Sequence, residues 1–321
     1  MHDNIDLFLA QQNTIGKTIA IDDIHNYLNT QLNIVSFNDN ISTEISNNLL
    51  ELLTEAETVL LRMPKSLDKL KEYAELITQY CNPKVTVYAC GKDKHMNKSF
   101  NKLLENYFEK VTASLGWKKC RTINAVKVKN KAVSTFPKVS INKELELKIA
   151  SHGGVFSGTK YDIGTRTFID TLRNFIFTGL GADLGSGNGL VSAFLLKHNP
   201  QLQIETSDDS YFAYLSTKET LKVNGLTAKV SHEHSLNDTP DNHYDYIFLN
   251  PPFHAGTRVS PTVGIELITA TRQKLKPGGS LYCVYNSMLN RYYMPEFKKF
   301  GGEIIHLAQN RKFIVKRVTK C

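Results

Sequence analysis

The sequence predicts an α/β protein of two domains, and three observations lead there. Short β-branched or apolar runs alternate with stretches of helical spacing from about residue 57 onward. Asp183-Leu184-Gly185-Ser186-Gly187-Asn188-Gly189 reads as a strand end turning sharply into a helix. Its three glycines permit positive φ and leave room for a ligand against the main chain. Asn250-Pro251-Pro252-Phe253 follows the apolar run Tyr246-Ile247-Phe248-Leu249, at the end of another strand. In a doubly wound sheet both stretches fall at the carboxyl edge, where ligands bind.

At 321 residues the chain is long enough for two cores, and its 41% hydrophobic content is ordinary for a soluble protein. It has no run of eighteen apolar residues and no basic-then-apolar leader, so the cytoplasm is expected. Five scattered cysteines, Cys81, Cys90, Cys120, Cys283 and Cys321, suggest free thiols and argue against zinc. The net charge of +8 is unevenly spread. Residues 1–59 carry one Lys or Arg against nine Asp or Glu, and residues 60–138 carry seventeen against six. Such a basic middle fits either a polyanionic partner or a solvated lysine face.

In chain order, residues 1–56 read as an acidic, Asn-rich extension packed with the next domain, with Ile45, Leu49, Leu50, Leu52 and Leu53 on one helical stripe. An α/β domain spans 57–135. Val59 to Met63 is a strand ended by Pro64. Ser66 caps a helix carrying Leu67, Leu70, Tyr73, Ala74 and Ile77, and Val85 to Ala89 is a second strand before a helix near 101–108. This half has no glycine-rich nucleoside loop. Its exposed chemistry is cationic: Lys92, Lys94, Lys98, then Trp117-Lys118-Lys119-Cys120-Arg121. Trp117 can either stack on a base or cap the core. Residues 136–150 read as a linker and 151–321 as the second domain. There the expected strands are 181–184, 202–208, 228–231, 244–249 and 280–285, with a closing pair at 303–306 and 312–316. Helices are expected over 190–198, 211–223 and 262–275. This order suits a seven-stranded Rossmann-like methyltransferase sheet better than a dehydrogenase.

The motifs sharpen the chemistry. Asp183 can accept from a ligand ammonium. Asp208, the first of the pair Asp208-Asp209, sits 23 residues after Gly185, close to the roughly 20-residue offset at which an acid meets a ribose. A nucleoside bearing an amino acid fits better than a dinucleotide, which points to S-adenosylmethionine. Asn-Pro-Pro-Phe suits methyl transfer to a planar nitrogen, whose lone pair is delocalised into its ring. The Asn250 side-chain oxygen and the Pro251 carbonyl can accept the two N–H bonds and aim that lone pair. The prolines fix the backbone, and Phe253 offers a face for an extruded base. No metal and no covalent intermediate are required. His254 is expected to position the base or contact RNA.

Gly154-Val155-Phe156-Ser157, Asp162-Ile163-Gly164, the Asp183–Gly189 turn and Asn250-Pro251-Pro252-Phe253-His254 together resemble the bacterial ribosomal RNA guanine-N2 methyltransferases. Leu61-Arg62-Met63-Pro64-Lys65, Trp117-Lys118-Lys119-Cys120-Arg121 and Gln309-Asn310-Arg311-Lys312-Phe313 resemble the large-subunit (23S) branch more than the small-subunit (16S) one. The resemblance implies a degenerate methyltransferase-like N-terminal domain that helps bind RNA through Lys92, Lys94, Lys98, Trp117, Lys118, Lys119 and Arg121. It implies a cofactor site lined by Phe156, Asp162, Gly164, Asp183, Gly185, Ser186, Gly187, Asn188, Gly189, Asp208 and Asp209. His234 or Ser235 would lie beside the adenine and Asn250 beside the methyl. The guanine would be held by Asn250, Pro251, Pro252 and Phe253. The implied partner is ribosomal RNA or a ribosomal subunit precursor, met by a monomer. Two other readings stand beside it: transfer to adenine N6 or a protein glutamine, and a non-catalytic RNA-binding assembly protein.

Overall fold

The structure is a computed structural model that describes residues 3–23, 26–40, 48–252, 254–255 and 258–321. It divides into two units: residues 1–138 with 152–154, and residues 139–151 with 155–321.

Unit 1 runs α1 (Asn4–Leu9), β1 (Thr18–Ile21), α2 (Tyr27–Leu32), β2 (Val35–Phe37), α3 (Leu49–Glu55), β3 (Thr58–Arg62), α4 (Leu67–Tyr80), β4 (Thr86–Lys92), α5 (Lys98–Glu105), β5 (Phe108–Ala113) and β6 (Cys120–Val128). The sheet order is β2-β1-β3-β4-β6-β5. The first four strands are parallel, and β6 and β5 pair antiparallel. Residues 1–56 were expected as an extension packed with its neighbour. Instead they supply two strands of this sheet: Ile19-Ala20-Ile21 is an apolar run too short to declare itself, yet it is wholly buried. Four of their acidic side chains are spent on ion pairs within the unit. Arg62 pairs with Asp3 and Asp6, and Lys69 with Asp22 and Asp39, the last two at 3.0 Å each. On α3, Leu49 and Leu53 face inward while Leu50 is exposed; Ile45 lies outside the described residues.

β7 (Lys138–Asn142), whose residues from Val139 onward open unit 2, pairs with β8 (Leu147–Ser151) in a two-stranded sheet. The segment 136–150 is therefore mostly strand rather than the linker expected. The cause is the apolar alternation Leu145, Leu147, Ile149, which buries its side chains in the core. Ala150 N donates to Thr220 Oγ1 at 2.9 Å and Lys148 N to Asn224 Oδ1 at 2.9 Å, which fixes β8 to the second helix of the sheet.

The main elements follow: α6 (Ile163–Leu172), β9 (Gly179–Leu184), α7 (Leu190–His198), β10 (Leu202–Asp208), α8 (Tyr211–Val223), β11 (Lys229–His232), β12 (Tyr244–Leu249), a short pair β13 (His254–Ala255) and β14 (Arg258–Val259), α9 (Thr262–Lys274), β15 (Leu275–Asn286), α10 (Asn290–Lys298), β16 (Gly301–Gln309) and β17 (Phe313–Lys320). Seven strands lie in the order β11-β10-β9-β12-β15-β17-β16. The central strands are buried on both faces. Phe248 joins one core with Phe168, Phe177 and Phe194, while its neighbours Ile247 and Leu249 join the other with Tyr285, Tyr293 and Phe297. That period-two division is what a covered parallel sheet demands. No helix of the described residues is long and apolar enough to cross a membrane.

Candidate active site

Leu184 of β9 pairs with Leu249 of β12. The next residues, Gly185 and Asn250, therefore leave the sheet from adjacent strands, about 5 Å apart by the ordinary strand spacing. Gly185, Gly187 and Gly189 all have positive φ, at 73°, 57° and 74°. A Cβ on Gly185 or Gly187 would meet nothing within 4 Å, so the turn opens onto free space. A Cβ on Gly189 would come 2.9 Å from Thr217 Cα, so that glycine serves close packing on α8.

The turn is braced from beneath. Gly185 N and Ser186 N both donate to Ser207 O, at 2.9 and 3.0 Å. Ser186, expected to line the cofactor, is buried and shares a 2.9 Å hydrogen bond with Thr217. Asp208 accepts from Gly187 N at 2.8 Å through Oδ2 and from Ser210 N at 3.0 Å through Oδ1. Asp208 remains half-exposed. Asn188 Nδ2 donates to Gly158 O at 2.8 Å, which draws the turn carrying Phe156 toward the glycines. Phe156 itself is 56% exposed.

Asp183 is only 3% exposed and accepts a 2.5 Å hydrogen bond from the Ser192 hydroxyl. Burial pushes its carboxyl up to about 6, against the smaller opposing effect of the Ser192 bonds. Asp209 lies 3.5 Å from His234 Nδ1, and its carbonyl is 3.1 Å from His232 Nε2. Ser235 is buried with φ of 59°. These three gather just beyond β10 and β11.

Asp162 caps α6, accepting from Gly164 N at 2.9 Å, Thr165 N at 3.3 Å and Thr165 Oγ1 at 2.6 Å. Gly164 packs under Phe313, whose ring would lie 2.9 Å from an added Cβ. Thr165 was not anticipated. Its hydroxyl stands 3.5 Å from Asn250 Nδ2 and so links the helix cap to the Asn-Pro-Pro run. The signal available was an Asp followed three residues later by a hydroxyl. Pro251 is buried and Pro252 exposed, while Phe253 and the side chain of His254 lie outside the described residues. Among the described residues there is no cluster of His, Cys, Asp or Glu able to hold a metal ion.

The cationic residues of unit 1 fall at one end of its sheet. Gly91 and Lys92 pair with Arg121 and Cys120 across β4 and β6. Trp117 to Cys120 is a two-residue turn whose Lys118 and Lys119 both have positive φ, at 45° and 65°. Lys118 Nζ lies 4.6 Å from the Trp117 ring centre, and the Phe8 ring centre lies 5.3 Å from the half-buried indole. Lys92, Lys94, Lys98, Lys118 and Lys119 are exposed, and Arg121 pairs with Asp93 at 3.1 Å.

The strand order alone puts unit 2 in the Rossmann-like methyltransferase class, and the open turn level with Asn250 sits where that class binds its ligands. Family models agree: "methyltransferase small domain" matches residues 146–317 and "RLMG N-terminal domain" residues 7–130. The ribosomal RNA large subunit methyltransferase G of Alcanivorax borkumensis is 31% identical over 264 residues, 81% of this chain and 67% of that one. The protein of the same name from Stutzerimonas stutzeri is 31% identical over 267 residues, 82% of this chain and 71% of that one. This chain belongs to the ribosomal RNA large subunit methyltransferase G family. In fold it resembles the T. thermophilus 16S rRNA N2 methyltransferase RsmC, solved with AdoMet and guanosine. The TM-score is 0.82 at 19% identity, over 99% of this chain and 92% of that one.

Proposed function

We propose that this chain transfers a methyl group from S-adenosylmethionine to the exocyclic N2 amine of a guanine in large-subunit ribosomal RNA. The observation that carries the reading is the Leu184–Leu249 register, which sets an open glycine turn beside Asn250. The free space over Gly185 and Gly187 suits a nucleoside lying against the main chain. Asp208, half-exposed at the end of β10, stands where a carboxylate can meet the ribose hydroxyls, and Asp183 faces the amino-acid end. Asn250 Oδ1 and the Pro251 carbonyl accept the two N2–H bonds of the extruded base. Their pull concentrates electron density on nitrogen and fixes its direction. S-adenosylmethionine held there would supply a sulfonium methyl to N2, the thioether sulfur leaving with the C–S electron pair, and one N2 proton would pass to water. Proton loss from the methylated amine is facile, so the chain needs no dedicated base.

The exposed lysines around Trp117 support a grip on RNA phosphates by unit 1, with the polyanion's charge met by Lys92, Lys94, Lys98, Lys118 and Lys119. The four buried free thiols support a reducing, cytoplasmic setting, and we expect a monomer. The test is incubation with radiolabelled S-adenosylmethionine and unmodified 23S and 16S RNA, followed by nuclease digestion and mass mapping. N2-methylguanosine at one 23S position is the expected product. Label found in adenine, in protein or nowhere would defeat the reading.

A further inference from the structure

We infer that Thr165 is a positioning residue that fixes which way the Asn250 carboxamide faces, so that its oxygen, and not its NH2 group, is presented to the substrate amine. The inference rests on the proposed base-gripping role of Asn250 and deepens it.

A carboxamide has two nearly isosteric ends of opposite hydrogen-bonding character. Turned one way, Asn250 offers an acceptor to an exocyclic amine; turned the other, it opposes two donors to two donors. The Asn250 side chain meets Thr165, whose Oγ1 lies 3.5 Å from Nδ2. Thr165 has a single hydroxyl proton. That proton is committed to Asp162, whose Oδ2 lies 2.6 Å away and, as a carboxylate oxygen, can only accept. Towards Asn250, therefore, Thr165 has only a lone pair to offer. It accepts from the NH2 end and would repel the oxygen. The oxygen is left to face the other side.

The device is rigid at its root. Asp162 is pinned by Gly164 N and Thr165 N. Gly164 is packed under the Phe313 ring. Thr165 is 8% exposed, so water competes poorly for its hydroxyl. The relay Asp162 ← Thr165 ← Asn250 thus passes the polarity of a helix cap to the group that grips the base. Asp162 itself then acts through Thr165 in addition to capping α6.

The test is Thr165→Val, which keeps the β-branched shape and the backbone N–H but removes the hydroxyl, with Thr165→Ser as the restoring variant. Each is assayed for kcat and for KM of both substrates on 23S RNA, with thermal melting measured alongside. Thr165→Val should lower kcat roughly 10- to 100-fold, the scale on which losing a group that orients a reacting contact is felt. It should leave the KM for S-adenosylmethionine within about twofold, and Thr165→Ser should return kcat to within about threefold of the parent. A merely structural role would instead lower melting in both variants or spread the loss over both KM values. The inference is overturned if Thr165→Val keeps its kcat within twofold, if Thr165→Ser is no better than Thr165→Val, or if the loss lies in melting or cofactor KM. Should the parent protein itself fail to methylate guanine, the functional proposal falls first and the two failures stay distinct.

Discussion

Unit 1 orders its strands β2-β1-β3-β4-β6-β5, and unit 2, beyond its extra edge strand β11, orders its own β10-β9-β12-β15-β17-β16. The two patterns are the same, down to four parallel strands followed by an antiparallel pair. Their carboxyl edges differ. After β9 unit 2 has glycines at positive φ opening onto free space. After the matching strand unit 1 has Asp22, and after the next one Asp39. Between these two carboxylates lies the Lys69 ammonium, supplied by α4, with Tyr73 donating to Asp22 at 3.0 Å. Where one sheet leaves open space above its glycines, the other has filled the corresponding place with a side chain of its own. After β12 unit 2 has Asn250-Pro251-Pro252, and after the matching β3 unit 1 has Met63-Pro64-Lys65, which lacks the amide. Strand order makes a place for a ligand, while a few side chains decide whether one can enter.

The largest expected effect is in unit 1. Burial alone would lower the Lys69 pKa, but Asp22 and Asp39 outweigh it and hold the group well above its usual value. Lys69→Met would strand two carboxylates in the interior and should cost about 3–5 kcal/mol, the range for breaking a buried ion pair. Urea unfolding checks it, and adding Asp22→Asn and Asp39→Asn should restore much of the loss. If Lys69→Met is neutral, the filled site is not what holds that edge together. Next, Asn250→Ala should lower kcat by about 10²–10³, as for loss of one preorganised polar contact in an active site. Pro64→Ala, at the matching place in unit 1, should leave kcat within about twofold. Equal losses would mean that both edges take part in the chemistry.

The smallest effect is a contrast in acid. Asp183 is raised to about 6 by burial, so it favours the protonated fold. Its contribution to the stability of unit 2 is fully present below the ordinary carboxylate range and is lost as pH rises through about 6. For Asp3, burial would raise the pKa, but Arg62 and backbone donors outweigh it and hold the carboxyl below its usual value. Its contribution to unit 1 is present above about pH 4, the free carboxylate value, and is lost as pH falls further. Acidification from neutrality to about pH 4 should therefore strengthen unit 2 through Asp183, and Asp183→Asn should flatten that limb in a melting series. A limb unchanged in Asp183→Asn would remove Asp183 as its cause.

Much of unit 2 was legible in the sequence because its signals are local. Leu202–Asp208, Tyr211–Val223 and Tyr244–Leu249 have the expected bounds, each a clean run closed by a polar or glycine-bearing turn. β15 starts at Leu275, five residues before Ser280, because an irregular register takes up Pro277, Gly278 and Gly279 beside β12. α10 was missed since Pro295 argues against a helix, yet burying Tyr293 and Phe297 four residues apart overrides that penalty. In unit 1, β1 and β2 are only four and three residues long, and β6 places Thr122 among its buried positions, so hydropathy did not mark them. At the site, the glycines and Asn250 could be named from spacing. What spacing could not supply was the use of polar groups against each other: Ser186 on Thr217, Asn188 on Gly158 and Thr165 on Asn250. Those pairs join residues 30 or more apart in the chain, and only the folded sheet brings them together.

The Lys69 ammonium has one more consequence. A protein gains stability from whatever binds its native form alone, in proportion to the logarithm of the free concentration. Because unit 1 carries its cation covalently, its hold on its own shape is indifferent to the cell's supply of methyl donor, and starvation for that donor would soften only the other half of the molecule.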